Sequence, residues 1–384
     1  MQTLSFAALE IVKDMHKLQS NKMLYYILFP ITMWYGIVVA LRNLLFDLGL
    51  RTQEAPHVTT IGVGNLVCGG AGKTPMVEYL VRLFADSANV AILSRGYKRS
   101  SKGYVRASAD ACEASLLGDE PAMMYRKFPG ITVAVCEKRV EGLRNLLASD
   151  NPPSLVLMDD VYQHRQVKPT VNILLTEYDH PYFKDRILPY GTLREFRKAA
   201  VRANIIVVTK SPKDINPIVR HTFLSQLGVS AHQQVYFAHI EYGTPVALYG
   251  AGSMNLDNVD SVLAVTGIAH PQPLLDYLND ERHTVSHLSF PDHHDFTADD
   301  VARIVEAYNA LPGSSKVIVT TEKDAERLRK EAAAEQLRQL SVYMIPITMA
   351  FNEANGETFD NTVKAIVREN TTFISRLTKS NYNL

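Results

Sequence analysis

A glycine-rich stretch that ends in Gly-Lys-Thr constrains this chain most. Residues 64–75 read GNLVCGGAGKTP, after an apolar run at 57–63 and before a helical pattern at 74–85. Glycines let backbone N–H groups surround a phosphate without a Cβ clash, and a helix N-terminus adds partial positive charge. A strand, this loop and a helix in that order predict a phosphate-binding P-loop.

The loop residues have separate predicted roles in nucleotide binding. Lys73 would reach the β- and γ-phosphates, and the hydroxyl of Thr74 would hold Mg²⁺. The first glycine of the usual G-x-x-x-x-G-K-[ST] pattern falls on Val67, so this is a variant Walker A motif. The alternative is a glycine-rich turn that only caps a helix. Contacts to the nucleotide are predicted for Gly69, Gly70, Ala71, Gly72, Lys73 and Thr74.

Two acids follow the apolar run at 154–158. Asp159 and Asp160 fit a Walker B segment, in which a carboxylate at the carboxyl end of a strand approaches Mg²⁺. The predicted metal ligands are therefore Thr74, Asp159 and Asp160, and the sequence leaves open which acid contacts the ion. The alternative is a solvated acid pair at a strand-to-turn junction.

Strands and helices alternate along the first half of the chain. This alternation predicts an α/β fold: a P-loop NTPase-like parallel sheet with helices on both faces. Helices are predicted at 74–85 and 139–147. Strands are predicted at 57–63, 90–93, 131–136, 154–158, 171–175 and 203–208.

From about residue 232 the pattern restarts and predicts a second, smaller α/β domain. Its predicted strands are 234–239, 261–265, 284–288 and 316–319, and its predicted helices are 272–278, 298–310 and 324–331. The predicted organisation is an N-terminal segment at 1–48, a P-loop domain at 49–231, the smaller domain at 232–352 and a helical tail at 353–384.

Residues 23–41 contain no charged side chain, which is close to the ~20 residues that span a bilayer. Tyr25, Tyr26, Trp34 and Tyr35 suit the headgroup region. A membrane-associated helix is the preferred interpretation, against a buried core helix or a cleaved signal. Translation starting at Met23, with 1–22 as an extension, is a further hypothesis.

The charge balance argues against one class of partner. Lys+Arg and Asp+Glu both number 40, whereas a general nucleic-acid binder carries a basic surplus. The cysteines, Cys68, Cys112 and Cys136, form no zinc-binding spacing. No nucleic-acid partner and no obligatory protein partner are expected.

Two further segments carry titratable side chains. Asp119 precedes a helix expected to begin at Pro121; it would either cap that helix or act as a general base for a hydroxyl nucleophile. His293 lies in the loop FPDHHDF at 290–296. A histidine that orients a carboxylate is more economical there than a metal site, because adjacent side chains point apart.

Arg95 and Arg194 lie in two loops that also contain glycine, which suits bidentate contacts to phosphate groups. Exposed solubilising charges are the alternative. The segments 209–212 and 321–324 are similar to the base-reading loops of GTPases, but Pro212 stands where an aspartate is wanted. ATP is therefore favoured over GTP.

Together these segments resemble the tetraacyldisaccharide 4′-kinases of lipid A biosynthesis. The matches run in order along nearly the whole chain after residue 41. They are the loop at 64–75, SRGY at 94–97, GDEP at 118–121, DDVYQH at 159–164, LRE at 193–195, GIA at 267–269, FPDH at 290–293 and TEKD at 321–324.

The resemblance implies transfer of the ATP γ-phosphate to the 4′-hydroxyl of a tetraacylated glucosamine disaccharide 1-phosphate. It also implies a lipid substrate and a location on the cytoplasmic face of the bacterial inner membrane, through the N-terminal helix. The catalytic residues it implies are Asp119, paired with His293, together with Asp160 and Lys73. The substrate contacts predicted are Asn65, Arg95 and Arg194.

Two departures from the family pattern affect loop shape: Val161 replaces a usual glycine, and Phe196 replaces a frequent proline. Three rival functions remain open at this point. They are another P-loop enzyme such as a GTPase or ligase, a nucleotide-binding protein without catalysis, and a kinase of a soluble sugar.

Overall fold

The computed structural model describes residues 22–279, 283–329, 335–352 and 358–381. The described chain forms two compact units. The first unit comprises the described residues up to Arg95, together with those of 131–239 and 349–384; the second comprises those of 96–130 and 240–348. Residues 96–130 were predicted within the first α/β domain, and in the structure they belong to the second unit. The hypothesis on residues 1–22 falls almost entirely outside the described residues.

The helices and strands are numbered in chain order. The helices are α1 Lys22–Asp47, α2 Lys73–Phe84, α3 Ala114–Leu117, α4 Asp119–Lys127, α5 Arg139–Leu147, α6 Pro217–Leu227, α7 Gln272–Leu278, α8 Ala298–Asn309, α9 Glu322–Leu328 and α10 Phe359–Asn381. The strands are β1 Thr59–Asn65, β2 Val90–Ser94, β3 Val105–Arg106, β4 Thr132–Val135, β5 Leu155–Asp159, β6 Val171–Glu177, β7 Ile205–Thr209, β8 Gln234–Tyr242, β9 Val246–Ala247, β10 Ser261–Thr266, β11 Thr284–Ser289, β12 Lys316–Thr321, β13 Val342–Ile345 and β14 Ile347–Phe351.

The first unit is built on a sheet with the strand order β14-β8-β7-β6-β1-β5-β2-β4. Neighbours from β8 to β4 pair in parallel. Strands β1, β2, β5 and β7 are buried along their whole length, as expected for a parallel sheet covered on both faces. Helix α2 packs on β1 and β5, and α5 packs on β2 and β4.

The register of this sheet brings the two predicted phosphate-binding segments together. Strand β1 lies between β5 and β6, and Val63 of β1 is paired with Asp159 of β5. Because parallel strands end at the same edge of a sheet, the loop after β1 and the acids after β5 emerge side by side.

The second unit has its own sheet, with the order β11-β10-β12-β13-β9. The first four strands are parallel, and the two-residue strand β9 is antiparallel to β13. Helix α9 begins at Glu322, two residues before the predicted start, because the Thr321 side chain caps it by accepting from the Asp324 backbone N–H. Residues 330–331 of that prediction lie outside the described residues.

Helix α1 is longer than the uncharged stretch that predicted it. Several apolar side chains on it are exposed, including Trp34 at 69% and Met33 at 56%, so the buried core helix is not what the structure shows. Among the described helices, residues 28–47 form the one candidate for crossing a membrane by length and composition. A Cβ atom at Gly36 would lie 2.9 Å from the Phe196 ring, so glycine permits this close approach. The side chains of Tyr25 and Tyr26 lie outside the described part.

Candidate active site

The phosphate loop connects β1 to α2, as predicted. Gly72 precedes α2 with a φ of +82°, and Gly69 has a φ of +132°, so both occupy backbone conformations that favour glycine. A Cβ atom added at Gly69 or Gly70 would meet nothing within 4 Å. The exposed side of the loop is therefore open, and its backbone is free of side-chain obstruction at both positions.

A second segment braces this loop. Cys68 donates its backbone N–H to Thr192 at 2.8 Å, and Arg194 donates its backbone N–H to Leu66 at 2.7 Å. Val67 and Leu193 form an antiparallel bridge between these bonds. The pairing explains how Arg194, far away in sequence, reaches the phosphate loop.

Four side chains meet beneath the loop. Lys73 Nζ lies 3.4 Å from Asn65 Oδ1 and 3.6 Å from Asp160 Oδ1. Arg194 donates to both carboxylate oxygens of Asp160, at 3.0 and 3.2 Å, and also to the Asn65 side chain. Burial raises the pKa of Asp160, but the charges of Arg194 and Lys73 outweigh it and hold that pKa well below its usual range. Two cations therefore share one ionised carboxylate.

The two acids after β5 point in different directions. Asp159 is buried and accepts a hydrogen bond from Ser94 Oγ at 3.2 Å. Asp160 has a φ of +46°, a left-handed conformation in which its side chain faces the loop cations. Of the two acids, Asp160 is therefore the one that faces Lys73.

The oxygen ligands present suit Mg²⁺. Thr74 lies in the first turn of α2, and Asp159 and Asp160 follow the neighbouring strand. Among the described residues, no group of three or more His, Cys, Asp and Glu side chains could hold a metal ion without other ligands. Mg²⁺ is commonly held by one or two carboxylates together with substrate phosphates, so the set fits that ion better than a closed protein site.

The three predicted substrate contacts occupy different environments. Asn65 is fully buried and holds the loop, since its backbone carbonyl also accepts from Gln163 at 2.8 Å. Arg194 is partly exposed beside Asp160, and Arg95 is exposed directly after β2. The structure thus brings Asn65 and Arg194 together, and their contacts to substrate stay predictions.

Arg139 belongs to this site but was not predicted from the sequence. It is 2% exposed, and it donates to the backbone carbonyls of Asp159 at 2.9 Å and Cys136 at 2.5 Å. Burial lowers its pKa to about 10. Its position at the start of an amphipathic helix gave no signal that its side chain turns inward.

Glu195 is fully buried and fixes the N-terminal helix to the same segment. It accepts from Asn43 Nδ2 at 2.7 Å and pairs with Arg42 at 3.3 Å and Arg202 at 2.9 Å. Tyr35 Oη donates to the Arg194 carbonyl at 3.0 Å. Both residues therefore contact α1, and Arg194 also contacts the phosphate loop.

A separate cluster in the second unit holds Asp119 and His293. The two side chains approach within 3.3 Å, between His293 Nδ1 and Asp119 Oδ2. Helix α4 begins at Asp119 after Gly118, so the expected start at Pro121 was two residues late. The Asp119 carboxylate bonds to His293 and to Arg327. Asp119 is the first residue of α4 and Gly118 is its N-cap, so the structure does not show the capping alternative, and the catalytic role stays a prediction.

Arg327 is the third member of this cluster and was missed by sequence reasoning. Its Nε and Nη2 donate to Asp119 Oδ2 at 3.0 and 2.8 Å. Burial raises the pKa of Asp119, but the His293 hydrogen bond and the Arg327 charge and hydrogen bonds lower it to about 2. One sequence signal could have indicated Arg327: it lies three residues after Asp324, a spacing that places both side chains on one face of α9.

Comparison with known proteins identifies the family. The family model described as LpxK, tetraacyldisaccharide-1-P 4′-kinase, matches residues 24–367. The chain belongs to this family. A tetraacyldisaccharide 4′-kinase of Bacteroides thetaiotaomicron is 40% identical over 370 residues, covering 93% of this chain and 96% of that protein. Another from Flavobacterium johnsoniae is 41% identical over 347 residues, covering 90% and 97%.

A solved LpxK structure has the same fold. It is the "apo" form from Aquifex aeolicus in complex with ATP, with a TM-score of 0.70, 27% identity and coverage of 91% of this chain and 99% of that one. Membership of the LpxK family confirms the resemblance drawn from the motifs, the P-loop α/β fold, the enzyme class and ATP as the nucleotide. The roles of individual residues stay predictions.

Proposed function

We propose that this chain transfers the γ-phosphate of ATP to the 4′-hydroxyl of a tetraacylated glucosamine disaccharide 1-phosphate in lipid A biosynthesis. The observation that carries the proposal is the family match over residues 24–367. In the reaction a bond forms between the 4′-oxygen and the γ-phosphorus, and the bond from that phosphorus to the ADP oxygen breaks. The hydroxyl proton passes to a base on the protein.

The phosphate loop binds the triphosphate in this proposal. Backbone N–H groups of residues 69–72 and the N-terminus of α2 face the phosphates, supported by the open surface at Gly69 and Gly70. Lys73 and Arg194 already share Asp160, so both cations are placed to offset charge on the transferred group. Mg²⁺ would be held by Thr74, Asp159 and Asp160, and when bound it neutralises phosphate charge.

The Asp119–His293 pair takes the proton of the sugar hydroxyl. A carboxylate with a pKa of about 2 is ionised at neutral pH but is a weak base alone, because efficient general bases have a pKa near the operating pH. The imidazole of His293 lies within hydrogen-bond distance of that carboxylate. We therefore assign the proton to the pair rather than to Asp119 alone.

Asn65, Arg95 and Arg194 are the proposed contacts to substrate phosphate groups. Arg95 is exposed at the carboxyl end of β2, which suits a contact made only when substrate binds. Arg194 faces Asp160, and Asn65 orients both Lys73 and Arg194. Asn65 would then act mainly by holding these cations in place.

The acyl chains would lie along α1. An apolar groove of about 300 Å³ runs between this helix and two loop residues, lined by Phe29, Met33, Gly36, Ile37, Ile187 and Phe196. Each methylene group removed from water contributes about 0.8 kcal/mol, so even part of an acyl chain gains substantial affinity there. No nucleic acid and no obligatory protein partner enters this proposal.

We place the protein at the cytoplasmic face of the bacterial inner membrane through α1. The exposed apolar side chains of this helix support the assignment, because water is a poor solvent for so many of them on one helix. Because ATP is supplied in the cytoplasm, the unit that contains the phosphate loop is placed on the cytoplasmic side of the membrane. The depth of Trp34 in the bilayer would distinguish a helix that spans the membrane from one that lies in its interface.

The decisive assay follows radiolabelled γ-phosphate from ATP, with detergent-solubilised protein and the tetraacylated disaccharide 1-phosphate. We expect a labelled lipid, lost in Lys73→Ala and retained in the exposed control Lys198→Ala. Label released only as inorganic phosphate, with the lipid present, would exclude the proposed acceptor. Label transferred equally to an unacylated disaccharide would instead support a soluble-sugar kinase.

A further inference from the structure

Arg327 lies at the centre of the cluster that contains Asp119, although no motif singled it out. Its side chain is 2% exposed. Two of its nitrogens donate to Asp119 Oδ2, and Nη1 donates to Asp324 Oδ1 at 2.9 Å and to the Gly267 carbonyl at 3.3 Å. A buried guanidinium with several fixed acceptors holds a carboxylate in both position and charge state.

Arg327 is itself held by a buried carboxylate. Asp324 is fully buried and accepts from the Gly267 backbone N–H at 2.9 Å and from Thr321 Oγ1 at 2.8 Å. These bonds tie α9 to the ends of β10 and β12. The guanidinium therefore has little freedom to follow Asp119 and instead determines where that carboxylate lies.

The same arginine also contacts the imidazole. His293 Nδ1 lies 3.1 Å from Arg327 Nη2 and 3.3 Å from Asp119 Oδ2. A guanidinium can only donate, and an ionised carboxylate can only accept. Nδ1 must therefore carry a hydrogen to bond Asp119, or lack one to bond Arg327. In a neutral ring, only the first tautomer leaves Nε2 able to accept a proton.

We propose that Arg327 is a positioning residue for phosphate transfer: it fixes Asp119 as the acceptor of the Nδ1 hydrogen of His293, which leaves Nε2 able to accept the proton. The inference rests on the role proposed above for the Asp119–His293 pair. Among the described residues, the titratable and charged groups that bond to Asp119 are His293, from the loop after β11, and Arg327, from α9. The Tyr97 ring lies against His293 on another side, with centroids 5.7 Å apart.

A matched control variant tests whether Arg327 serves only to hold two helices together. Helices α4 and α9 are also joined by ion pairs of Lys127 with Glu322 at 2.5 Å, of Lys323 with Glu120, and of Arg126 with Glu326. Lys127 lies at the opposite end of α4 from Asp119. Lys127→Met therefore removes a pair between the same two helices and leaves the Asp119 cluster intact.

The test compares Arg327→Met, Arg327→Lys and Lys127→Met in the full-length protein in detergent, by kcat, KM and pH profile with ATP and the tetraacylated acceptor. For Arg327→Met we expect kcat to fall about 100-fold with KM for ATP within about twofold. The acidic limb should move up by about one pH unit, because Asp119 loses the cation that favours its ionised form. Lys127→Met should keep the wild-type kcat and profile even with a lower Tm.

Arg327→Lys keeps the charge but cannot reach all the same acceptors. We expect kcat to fall about 10-fold while the acidic limb stays near its wild-type position. Wild-type kcat in Arg327→Lys, or an unchanged profile in folded Arg327→Met, would overturn the positioning role. The lysine variant decides the question if the methionine variant does not fold.

A second readout separates this inference from the proposed function. The tautomer of His293, read from the ¹⁵N chemical shifts of its two imidazole nitrogens, needs no lipid or turnover. Arg327→Met should change this tautomer, and Lys127→Met should not. A changed tautomer in a protein without lipid kinase activity would remove the proposed function yet retain the Arg327 contact. An unchanged tautomer would refute the influence of Arg327 on His293.

Discussion

Lys73 and Asp160 face each other across the base of the phosphate loop, with Nζ 3.6 Å from Oδ1. Arg194 reaches the same carboxylate from the other side, at 3.0 Å. An acidic side chain between two cations limits their affinity for phosphate while keeping both in place. We therefore expect Asp160 to tune the binding of the nucleotide as well as serving as a proposed metal ligand.

Replacing Asp160 with asparagine removes this restraint. We expect Asp160→Asn to bind ATP without Mg²⁺ more tightly than wild type, since Lys73 and Arg194 are then free to contact phosphate. Turnover should fall about 100-fold or more, because a proposed Mg²⁺ ligand is lost and the two cations are no longer held in place. Calorimetry with and without Mg²⁺, with the exposed Asp150→Asn as control, checks both parts. Weaker metal-free binding in Asp160→Asn would contradict the assignment.

Asp119→Asn should abolish most phosphate transfer. Losing a positioned proton acceptor typically costs about 10²–10⁴-fold in rate. ATP binding should be unchanged, because Asp119 is assigned no contact with nucleotide. Single-turnover kinetics and equilibrium ATP binding measure the two effects separately, and wild-type turnover in Asp119→Asn would remove Asp119 from the mechanism.

Asp119 also predicts a dependence of stability on pH. Its pKa falls from an ordinary 3.8 to about 2 on folding, so its stabilising contribution is present above about pH 4 and is lost as pH falls toward 2. Wild type and Asp119→Asn should therefore differ most in Tm near neutral pH and converge as pH falls from 4 to 2. Thermal melts across this range check the prediction; a constant difference in Tm would contradict it.

Gly36 predicts a selective effect on the lipid substrate. In Gly36→Leu the new side chain occupies the groove beside Phe196, where even a Cβ atom would lie 2.9 Å from the ring. We expect KM for the acylated acceptor to rise about tenfold, which corresponds to about 1.4 kcal/mol, with KM for ATP unchanged. Leu44→Met, exposed on the same helix, is the control. Equal effects on both KM values would argue against an acyl-chain groove.

Glu195 predicts a loss of stability. Removing one partner of a buried ion pair costs roughly 3–5 kcal/mol, because the remaining charges stay buried without compensation. Glu195→Ala leaves Arg42 and Arg202 without this carboxylate, but these side chains are 34% and 19% exposed, so its cost should lie at or below the lower end of that range. Glu141→Ala removes only an exposed pair with Lys138 and should cost about 1 kcal/mol or less. Chemical denaturation measures both, and similar losses in the two variants would refute the anchoring role of Glu195.

The phosphate loop and its acids could be predicted because their signal is local. Each part of the signal lies within a few consecutive residues: the spacing of the glycines, the apolar strand before the loop and the apolar strand before Asp159. The helix at 139–147 was predicted with the observed bounds for the same reason, since its apolar positions repeat at helical spacing.

Arg327 and Arg139 could not be predicted in the same way. An arginine near the end of α9 or the start of α5 usually reaches solvent, and only the tertiary fold shows that both side chains are buried. The grouping of residues 96–130 with the second unit was missed for a related reason. Alternating strands and helices predict an α/β fold, but they do not show that the chain leaves one unit, enters the other and returns. The hydrogen bond from Arg194 to the Asn65 side chain likewise joins residues more than a hundred positions apart.

Arg194 and Glu195 are consecutive, yet their side chains bind two different parts of the first unit. Arg194 forms an ion pair with Asp160 beside the phosphate loop. Glu195 forms an ion pair with Arg42 and accepts a hydrogen bond from Asn43, both in α1. The two residues share one peptide unit, so the contacts to α1 and to Asp160 are made by the same short segment. We therefore expect a change in the tilt of α1 to move this segment and, with it, the contact between Arg194 and the carboxylate beside Lys73.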